Sequence, residues 1–189
     1  MSNTLCVNFY AGPGAGKSTI AAELFVALKK QHINCELITE YAKKKIWEGN
    51  TTCLTNQLYI TAKQQYAMWT VEKHVDVIVT DSPLLFGCIY GNDLLLDAII
   101  KREYTRFNNL DVFLMRSNAP YQTEGRSQTF EQAVEKDNEI LKLLNEMNIN
   151  YVNIKPTPKY INSLVKTIKT KISNQLKMYK LPILDFYYL

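Results

Sequence analysis

Few residues of this chain are suited to disulfide frameworks or transition-metal centres. The 189 residues include four cysteines and two histidines, and no two cysteines form a C-x-x-C pair. Because zinc sites and disulfide frameworks need clustered cysteine or histidine side chains, this scarcity argues against both. We expect Cys6, Cys35, Cys53 and Cys88 to be buried, reduced thiols of a cytoplasmic protein.

Long apolar runs and export signals are also lacking. A membrane-spanning helix needs about 20 predominantly apolar residues, whereas the longest apolar runs here, 83–90 and 183–189, are short and interrupted. No basic stretch precedes the first apolar segment, so we expect no signal peptide. The sequence therefore predicts a protein without a membrane partner.

The composition is typical of a compact domain. Hydrophobic residues make up 47% of the chain, with only seven glycines and six prolines, which excludes low-complexity and disordered chains. The net charge of +4 favours anionic ligands such as nucleotides, but it is too small to establish nucleic-acid binding. We predict a single domain over residues 1–189 and leave its oligomeric state open.

Short β-preferring runs alternate with helical patterns along the chain. The predicted strands are 5–10, 35–39, 75–80, 110–115 and 151–154, and the predicted helices are 17–30, 41–47, 54–73, 93–108, 130–147 and 160–178. This alternation predicts an α/β fold with a doubly wound, five-stranded parallel sheet. Ligands of such sheets bind at the carboxyl ends of the strands. We further predict a lid over about 116–128 and a basic helix with a tail over about 158–189.

A glycine-rich segment joins the first strand to the first helix with the spacing of a P-loop. It reads Ala11-Gly-Pro-Gly-Ala-Gly-Lys-Ser18, with alanine in place of the first glycine. Backbone amides of such a loop converge on phosphate oxygens at a helix N-terminus. Lysine then reaches the β- and γ-phosphates, and the serine hydroxyl binds Mg²⁺. We predict ATP and Mg²⁺ as cofactors, bound by Gly12, Pro13, Gly14, Ala15, Gly16, Lys17, Ser18 and Thr19.

An acidic residue follows the third predicted strand. Asp81 comes directly after a buried-looking run that ends at Thr80. A carboxylate in this position holds Mg²⁺ in P-loop proteins, directly or through water. The alternative is a turn or helix-capping aspartate before Ser82 and Pro83. We predict that Asp81 and Ser18 form the metal side of the site.

A P-loop alone indicates nucleotide binding and leaves the reaction open. The chain is short and has no guanine-specificity motif of the Asn-Lys-x-Asp kind, and two of its four arginines, Arg116 and Arg126, flank the predicted lid. Arginine suits planar, bidentate phosphate recognition and would neutralise charge on a transferred phosphoryl group. These features favour a small kinase, the alternative being that both arginines lie on the surface.

Glu40 follows the second predicted strand and is the candidate acid on the acceptor side. A hydroxyl acceptor gains from a carboxylate that takes its proton, whereas Lys43, Lys44 and Lys45 would suit an acceptor phosphate or a DNA backbone. We place Glu40 in the active site, with Tyr41 beside the acceptor. The alternative is a solvated, helix-capping glutamate.

Two glutamines on the third predicted helix are further candidates for the acceptor site. Gln57 and Gln64 are seven residues apart and share one helix face, among aromatic side chains. Amide and aromatic groups can read and stack a base. Aromatic residues at helical spacing more often belong to a core.

Several segments together resemble a known group. Besides the P-loop, they are Glu40-Tyr-Ala42, Thr80-Asp-Ser-Pro-Leu-Leu85 and the stretch from Asp111 to Arg126. In this order they resemble the P-loop kinase-like AAA-domain family, which includes the ribosylnicotinamide kinase domain and many bacteriophage-borne kinases or ATPases. The resemblance covers roughly residues 5–155.

The resemblance implies ATP-dependent phosphorylation of a nucleoside-like hydroxyl. It implies phosphate and Mg²⁺ roles for Lys17 and Ser18, a metal or base role for Asp81, an acceptor-side role for Glu40, and lid roles for Arg116 and Arg126. The sequence departs from other nucleotide kinases where Ser-Pro follows Asp81 in place of Asp-Arg. The acceptor therefore stays open among a nucleoside, a hydroxymethylated base, DNA and a nucleoside monophosphate. A regulatory or DNA-associated NTPase is the alternative from another class.

Overall fold

Strands and helices alternate along the chain, and the computed structural model describes them for residues 3–116, 129–155 and 158–179. The strands are β1 (Leu5–Tyr10), β2 (Cys35–Ile38), β3 (Val77–Thr80), β4 (Asn108–Leu114) and β5 (Tyr151–Ile154). The helices are α1 (Lys17–Lys30), α2 (Tyr41–Trp47), α3 (Gln57–Val71), α4 (Phe86–Tyr90), α5 (Leu94–Tyr104), α6 (Phe130–Glu146) and α7 (Pro158–Tyr179), with a 3-10 turn at Thr52–Thr55.

The five strands form one parallel sheet in the order β2-β3-β1-β4-β5. This confirms the predicted α/β fold class. Strand β3 lies between β1 and β2, so the acid after β2 and the P-loop after β1 flank the carboxyl end of β3. The three connections that follow β1, β2 and β3 therefore meet at one edge of the sheet.

Helices cover both faces of the sheet, as a doubly wound fold requires. Helices α1 and α7 bury Leu24, Leu28, Leu164 and Ile168 on one face. On the other face lie α3, α5 and α6, whose buried residues include Met68, Ile100 and Ile140. All residues of β1 and β3 are buried, which explains why these strands read as continuous apolar runs.

Several predicted boundaries shift. The helix expected over 54–73 begins at Gln57, because the Asn56 side chain accepts a hydrogen bond from the Tyr59 amide and caps it. The helix expected over 93–108 ends at Tyr104, because Asn108 and Asn109 already pair with β1 as the start of β4. The five-residue helix α4 was not predicted, since Pro83 and Gly91 enclose a run too short to show helical periodicity.

Other expectations are met in part. The helix expected over 130–147 is α6, which begins after a capping box formed by Thr129 and Gln132. All four cysteines are free, as expected, but only Cys6 and Cys35 are buried; Cys53 and Cys88 are half-buried. The predicted lid, apart from Met115 and Arg116 at its start, and the tail beyond residue 179 lie outside the described residues.

Within the described residues, no helix combines the length and the apolar character that a bilayer crossing requires.

Candidate nucleotide and acceptor site

The P-loop turns from β1 into α1 through two glycines in the left-handed region. Gly14 has φ 79° and Gly16 has φ 91°, and Gly16 is the N-cap of α1. Side chains with a Cβ rarely adopt such angles. The loop thus presents the first amides of α1, which have no partner inside the helix, toward the open edge of the sheet.

The Lys17 side chain folds back along the loop. Its Nζ donates hydrogen bonds to the carbonyl oxygens of Ala11 at 2.8 Å and Gly12 at 3.1 Å. Burial lowers the pKa of Lys17, while the nearby carboxylates of Glu40 and Asp81 act in the opposite direction. The ammonium group is therefore held over the loop, at the place where phosphates would bind.

A carboxylate on α6 fixes the start of the P-loop. The Gly12 amide donates to Oδ1 of Asp137 at 2.5 Å, and Nε of Arg116 donates to Oδ2 of the same carboxylate at 2.5 Å. Arg116 also donates to the carbonyl oxygens of Pro13 at 2.9 Å and Ala133 at 2.8 Å. We call this arrangement of Gly12, Arg116 and Asp137 the loop clasp.

The loop clasp explains why residue 12 is a glycine. A Cβ there would collide with the backbone carbonyl oxygen of Ala133 and crowd the Arg116 guanidinium. Only the absence of a side chain lets α6 approach the loop this closely. Helix α6 therefore serves as a rigid support for the phosphate-binding loop.

Two carboxylates stand near Lys17 at the ends of β2 and β3. Asp81 is 3% exposed, and its Oδ1 has no hydrogen-bond partner among the described residues. Glu40, the N-cap of α2, is partly buried, and burial raises its pKa, with Lys17 opposing and Asp81 adding to the rise. A buried, unpartnered carboxylate oxygen is costly unless a cation or donor meets it.

This donor set fits a magnesium ion bound together with nucleotide phosphates. The Asp81 oxygen and the Ser18 hydroxyl are hard oxygen ligands of the kind that Mg²⁺ prefers. No group of three or more histidine, cysteine or acidic residues that could hold a metal occurs in the described part of the chain. Phosphate and water oxygens would therefore have to complete the coordination of Mg²⁺.

One cavity of about 590 Å³ extends from the P-loop across the sheet edge. The lining residues from the P-loop, which we call the phosphate end, include Gly14, Lys17, Ser18 and Thr19, and the residues after β2 include Glu40, Ala42 and Lys43. The lining residues from α3 and α4, which we call the acceptor end, are Gln57, Ile60, Thr61, Gln64, Phe86 and Tyr90. The two ends adjoin, since Lys17 Nζ lies 5.5 Å from the centre of the Phe86 ring. This volume lies in the usual range for small-molecule sites.

Both glutamines of the acceptor end have one half of the amide engaged by the protein. Gln57 Nε2 donates to the Leu54 carbonyl oxygen at 2.7 Å. Gln64 Oε1 accepts from the Tyr41 amide at 3.1 Å. The Tyr41 hydroxyl hydrogen-bonds the Tyr59 hydroxyl at 2.6 Å, so this ring ties α2 to α3.

Sequence comparison places the chain in a known family. A family model described as an AAA domain matches residues 6–159, which is most of the chain. The chain belongs to this AAA-domain family. No curated protein matches the sequence.

Two solved structures are similar to this AAA-domain chain at low identity. The crystal structure of APE1195 is 14% identical, covers 91% of this chain and 98% of its own, and has a TM-score of 0.46. The APS kinase of Mycobacterium tuberculosis is 11% identical, covers 92% of this chain and 99% of its own, and has a TM-score of 0.47. Neither likeness bears on the substrate of this chain.

The structure brings together most of the residues singled out in the sequence. One cavity is lined by Pro13, Gly14, Gly16, Lys17, Ser18, Thr19, Glu40, Gln57 and Gln64. Tyr41, predicted beside the acceptor, does not line this cavity; its backbone amide donates a hydrogen bond to Gln64, which does. The remaining predicted positions lie in the surroundings of the cavity: Gly12 against α6, Ala15 in the core, Asp81 near Lys17, and Arg116 in the loop clasp. Arg126 lies outside the described residues.

Sequence reasoning missed Asp137, although a signal for it exists. Ala133, Asp137, Ile140 and Leu144 form the buried face of α6. An aspartate at a core position of an amphipathic helix needs a specific partner, because burying an unpaired carboxylate is costly. The helical pattern indicates that Asp137 is buried, but it does not predict that its partner is Gly12, 125 residues away in the sequence.

Proposed function

We propose that this AAA-domain protein is a phosphotransferase that uses ATP and Mg²⁺. It moves the γ-phosphate to a hydroxyl group of a nucleoside-like or hydroxymethylated-base acceptor. The proposal is carried by one cavity that is lined by the P-loop, by Glu40 and by the residues of the acceptor end. A P-loop that binds nucleotide without a second substrate has no need of such a compartment.

The phosphate end would bind and orient ATP. The amides at the start of α1 and the Lys17 ammonium would hold the β- and γ-phosphates. Ser18 and Asp81 would hold Mg²⁺, which when bound neutralises charge on the phosphate oxygens. The loop clasp keeps the P-loop in place, so little reorganisation accompanies binding.

Glu40 would act on the acceptor. The acceptor hydroxyl oxygen forms a bond to the γ-phosphorus while the bond from that phosphorus to the β,γ-bridging oxygen breaks, and ADP leaves. The hydroxyl proton passes to the Glu40 carboxylate. Burial raises the pKa of this carboxyl group, which makes it a better proton acceptor than an exposed glutamate.

One observation favours nucleoside monophosphate phosphorylation as a second candidate. Lys43 lines the cavity with Glu40, and its positive charge opposes the rise that burial causes in the pKa of Glu40. A lysine there could pair with an acceptor phosphate. An acceptor that is already anionic has less need of Glu40 as a proton acceptor.

A phosphotransfer screen with γ-labelled ATP tests the proposal. The acceptors are ribonucleosides and deoxynucleosides, their monophosphates, ribosylnicotinamide, and hydroxymethylated DNA, with a Lys17→Ala preparation as the control for contaminating kinases. We expect label to move to a hydroxyl group of an acceptor other than a monophosphate, and only with the wild-type protein. Label moving only to monophosphates would favour the second candidate. Release of inorganic phosphate without any labelled acceptor would contradict both and favour a regulatory NTPase.

A further inference from the structure

Gln64 is the most deeply buried polar side chain at the acceptor end. It is 4% exposed, and its Oε1 accepts a hydrogen bond from the Tyr41 amide. Tyr41 is the first residue of α2, and no side-chain cap from Glu40 serves this helix. Gln64 thus supplies from α3 a partner for an amide that has none inside its own helix.

This contact fixes which way the Gln64 amide faces. A backbone N–H can only donate, so the atom of Gln64 that meets it must be the carbonyl oxygen. A flipped amide would set two donors against each other. The NH₂ group of Gln64 is therefore the part left over for other partners.

The NH₂ group has no partner of its own. Gln64 Nε2 is buried and without a hydrogen-bond acceptor among the described residues. Gln64 lines the acceptor end of the cavity, where a bound molecule would meet it. A buried donor that the protein leaves unsatisfied, on a side chain that lines a cavity, points to a ligand that supplies the missing acceptor.

The surroundings of Gln64 define the chemistry of that ligand. Ile60, Phe86 and Tyr90 contribute apolar and aromatic surface to the acceptor end. The Phe86 ring meets the Tyr90 ring edge to face, with centroids 6.2 Å apart. Such walls suit a flat ring. None of the six side chains of the acceptor end is charged, so none of them would supply a counter-charge to an ionised ring.

We propose that Gln64 is a specificity-determining residue that donates a hydrogen bond from Nε2 to the acceptor substrate. The group it recognises is a ring carbonyl oxygen or an unprotonated ring nitrogen on a neutral, planar base. Because the carbonyl oxygen of the amide already accepts from Tyr41, Gln64 can donate a hydrogen bond to a lone pair of the ligand but does not accept one from it. This inference rests on the proposed function for the identity of the cavity as an acceptor site.

Calorimetric titration in the presence of Mg²⁺ and a non-hydrolysable ATP analogue tests this role without requiring turnover. The probes are cytidine, uridine and inosine, with ribosylbenzene as the flat analogue that has no lone pair on its ring. The main variant is Gln64→Glu, which keeps an oxygen for the Tyr41 amide and removes the NH₂ donor. Gln65→Met is the matched control, since Gln65 is the next residue on α3, pairs with Glu103 and does not line the cavity.

We expect at least one probe with a ring lone pair to bind the wild type. Its affinity should fall roughly 10- to 100-fold in Gln64→Glu, because the ligand lone pair then faces a carboxylate. Affinity for the ATP analogue should stay the same in both variants. Binding by Gln64→Glu should recover relative to the wild type as the pH falls, because a protonated carboxyl group regains a donor. A merely structural role would give no such recovery.

The possible failures are distinguishable. Equal affinity of wild type and Gln64→Glu for the bound probe would overturn the role of Gln64, as would binding of ribosylbenzene alone or of no probe at all. Probe binding that depends on Gln64 but leads to no labelled product with ATP would leave this role intact and contradict the proposed phosphotransfer. Gln64→Met, which loses both amide contacts, reports on the fold through its melting temperature and keeps a folding defect separate from lost recognition.

Discussion

The two ends of the cavity are built in different ways. At the phosphate end, the groups that shape the loop are already partnered: Lys17 with loop carbonyls, the Gly12 amide with Asp137, and Arg116 with three acceptors. At the acceptor end, the Gln64 NH₂ group has no partner within the described residues. The P-loop is thus preorganised by the protein itself, whereas we expect the acceptor end to be completed by its ligand.

This contrast predicts that a change at the phosphate end affects every acceptor alike. Lys17→Ala removes the ammonium group held over the loop, and we expect a fall of roughly 10³-fold in kcat/KM for ATP. The loss should be the same for every acceptor, as measured with labelled ATP. Lys30→Ala, at the exposed end of α1, is the matched control. Retained turnover in Lys17→Ala would refute the assignment of the phosphate end.

A change beside the acceptor should affect transfer and spare ATP binding. In Glu40→Gln we expect kcat to fall roughly 10²-fold, because the proton acceptor is lost. Calorimetry with the non-hydrolysable analogue should show unchanged affinity. The exposed Glu23→Gln change on α1 serves as the control. An unchanged kcat with weaker acceptor binding would exclude Glu40 as the proton acceptor.

The Glu40→Gln variant also allows a test through the pH dependence of kcat. Burial raises the pKa of Glu40, so in the wild type the fraction of ionised Glu40 increases as the pH rises through a value above that of an ordinary glutamate. Since the ionised form accepts the proton, kcat should increase with pH over the range in which Glu40 ionises. This increase should be absent from the pH profile of Glu40→Gln. If it persists in the variant, it reflects the ionisation of another group.

The sequence was informative at the phosphate end for a physical reason. A P-loop is contiguous, and its function depends on backbone geometry that Gly14 and Gly16 reveal locally. The alternation of apolar runs and helical patterns likewise predicted the five-stranded parallel sheet, because the central strands β1 and β3 are buried on both faces.

The sequence was less informative where partners come from distant segments. The pairing of Asp137 with Gly12 spans 125 residues, and that of Gln64 with Tyr41 depends on how α2 packs on α3. Spacing identified Gln64 as a member of a helix face, but it could not show which half of the amide is free. Short α4 also escaped prediction, although Phe86 and Tyr90 form part of the cavity wall.

The loop clasp offers a way to weaken the phosphate end without touching a phosphate-binding group. Asp137→Ala leaves the Gly12 amide without its acceptor and the Arg116 guanidinium without its counter-charge. We expect a loss of about 3 kcal/mol in the free energy of unfolding, with weaker binding of the ATP analogue. Urea denaturation and calorimetry measure these effects, with Glu135→Ala on the exposed face of α6 as the control. Unaltered stability and nucleotide affinity would mean that the clasp does not organise the loop.

The smallest effect is expected away from both ends, at the buried Asp111 on β4. Asp111 accepts hydrogen bonds from Asn8 at 3.0 Å and Tyr104 at 2.7 Å, yet burial still raises its pKa. A carboxyl group whose pKa is higher in the folded than in the unfolded state lowers the free energy of unfolding while it is ionised. This loss of stability should therefore disappear as the pH falls through the folded-state pKa toward the pKa of the unfolded state. Asp111→Asn should remove this pH dependence, changing the free energy of unfolding by about 1 kcal/mol at neutral pH, with ATP and acceptor affinities unchanged. If urea denaturation gave the same pH dependence of stability for the wild type and Asp111→Asn, Asp111 would not be the source of that dependence. If the variant bound ATP or the acceptor with altered affinity, ligand binding in the cavity would depend on the packing of the sheet at Asp111.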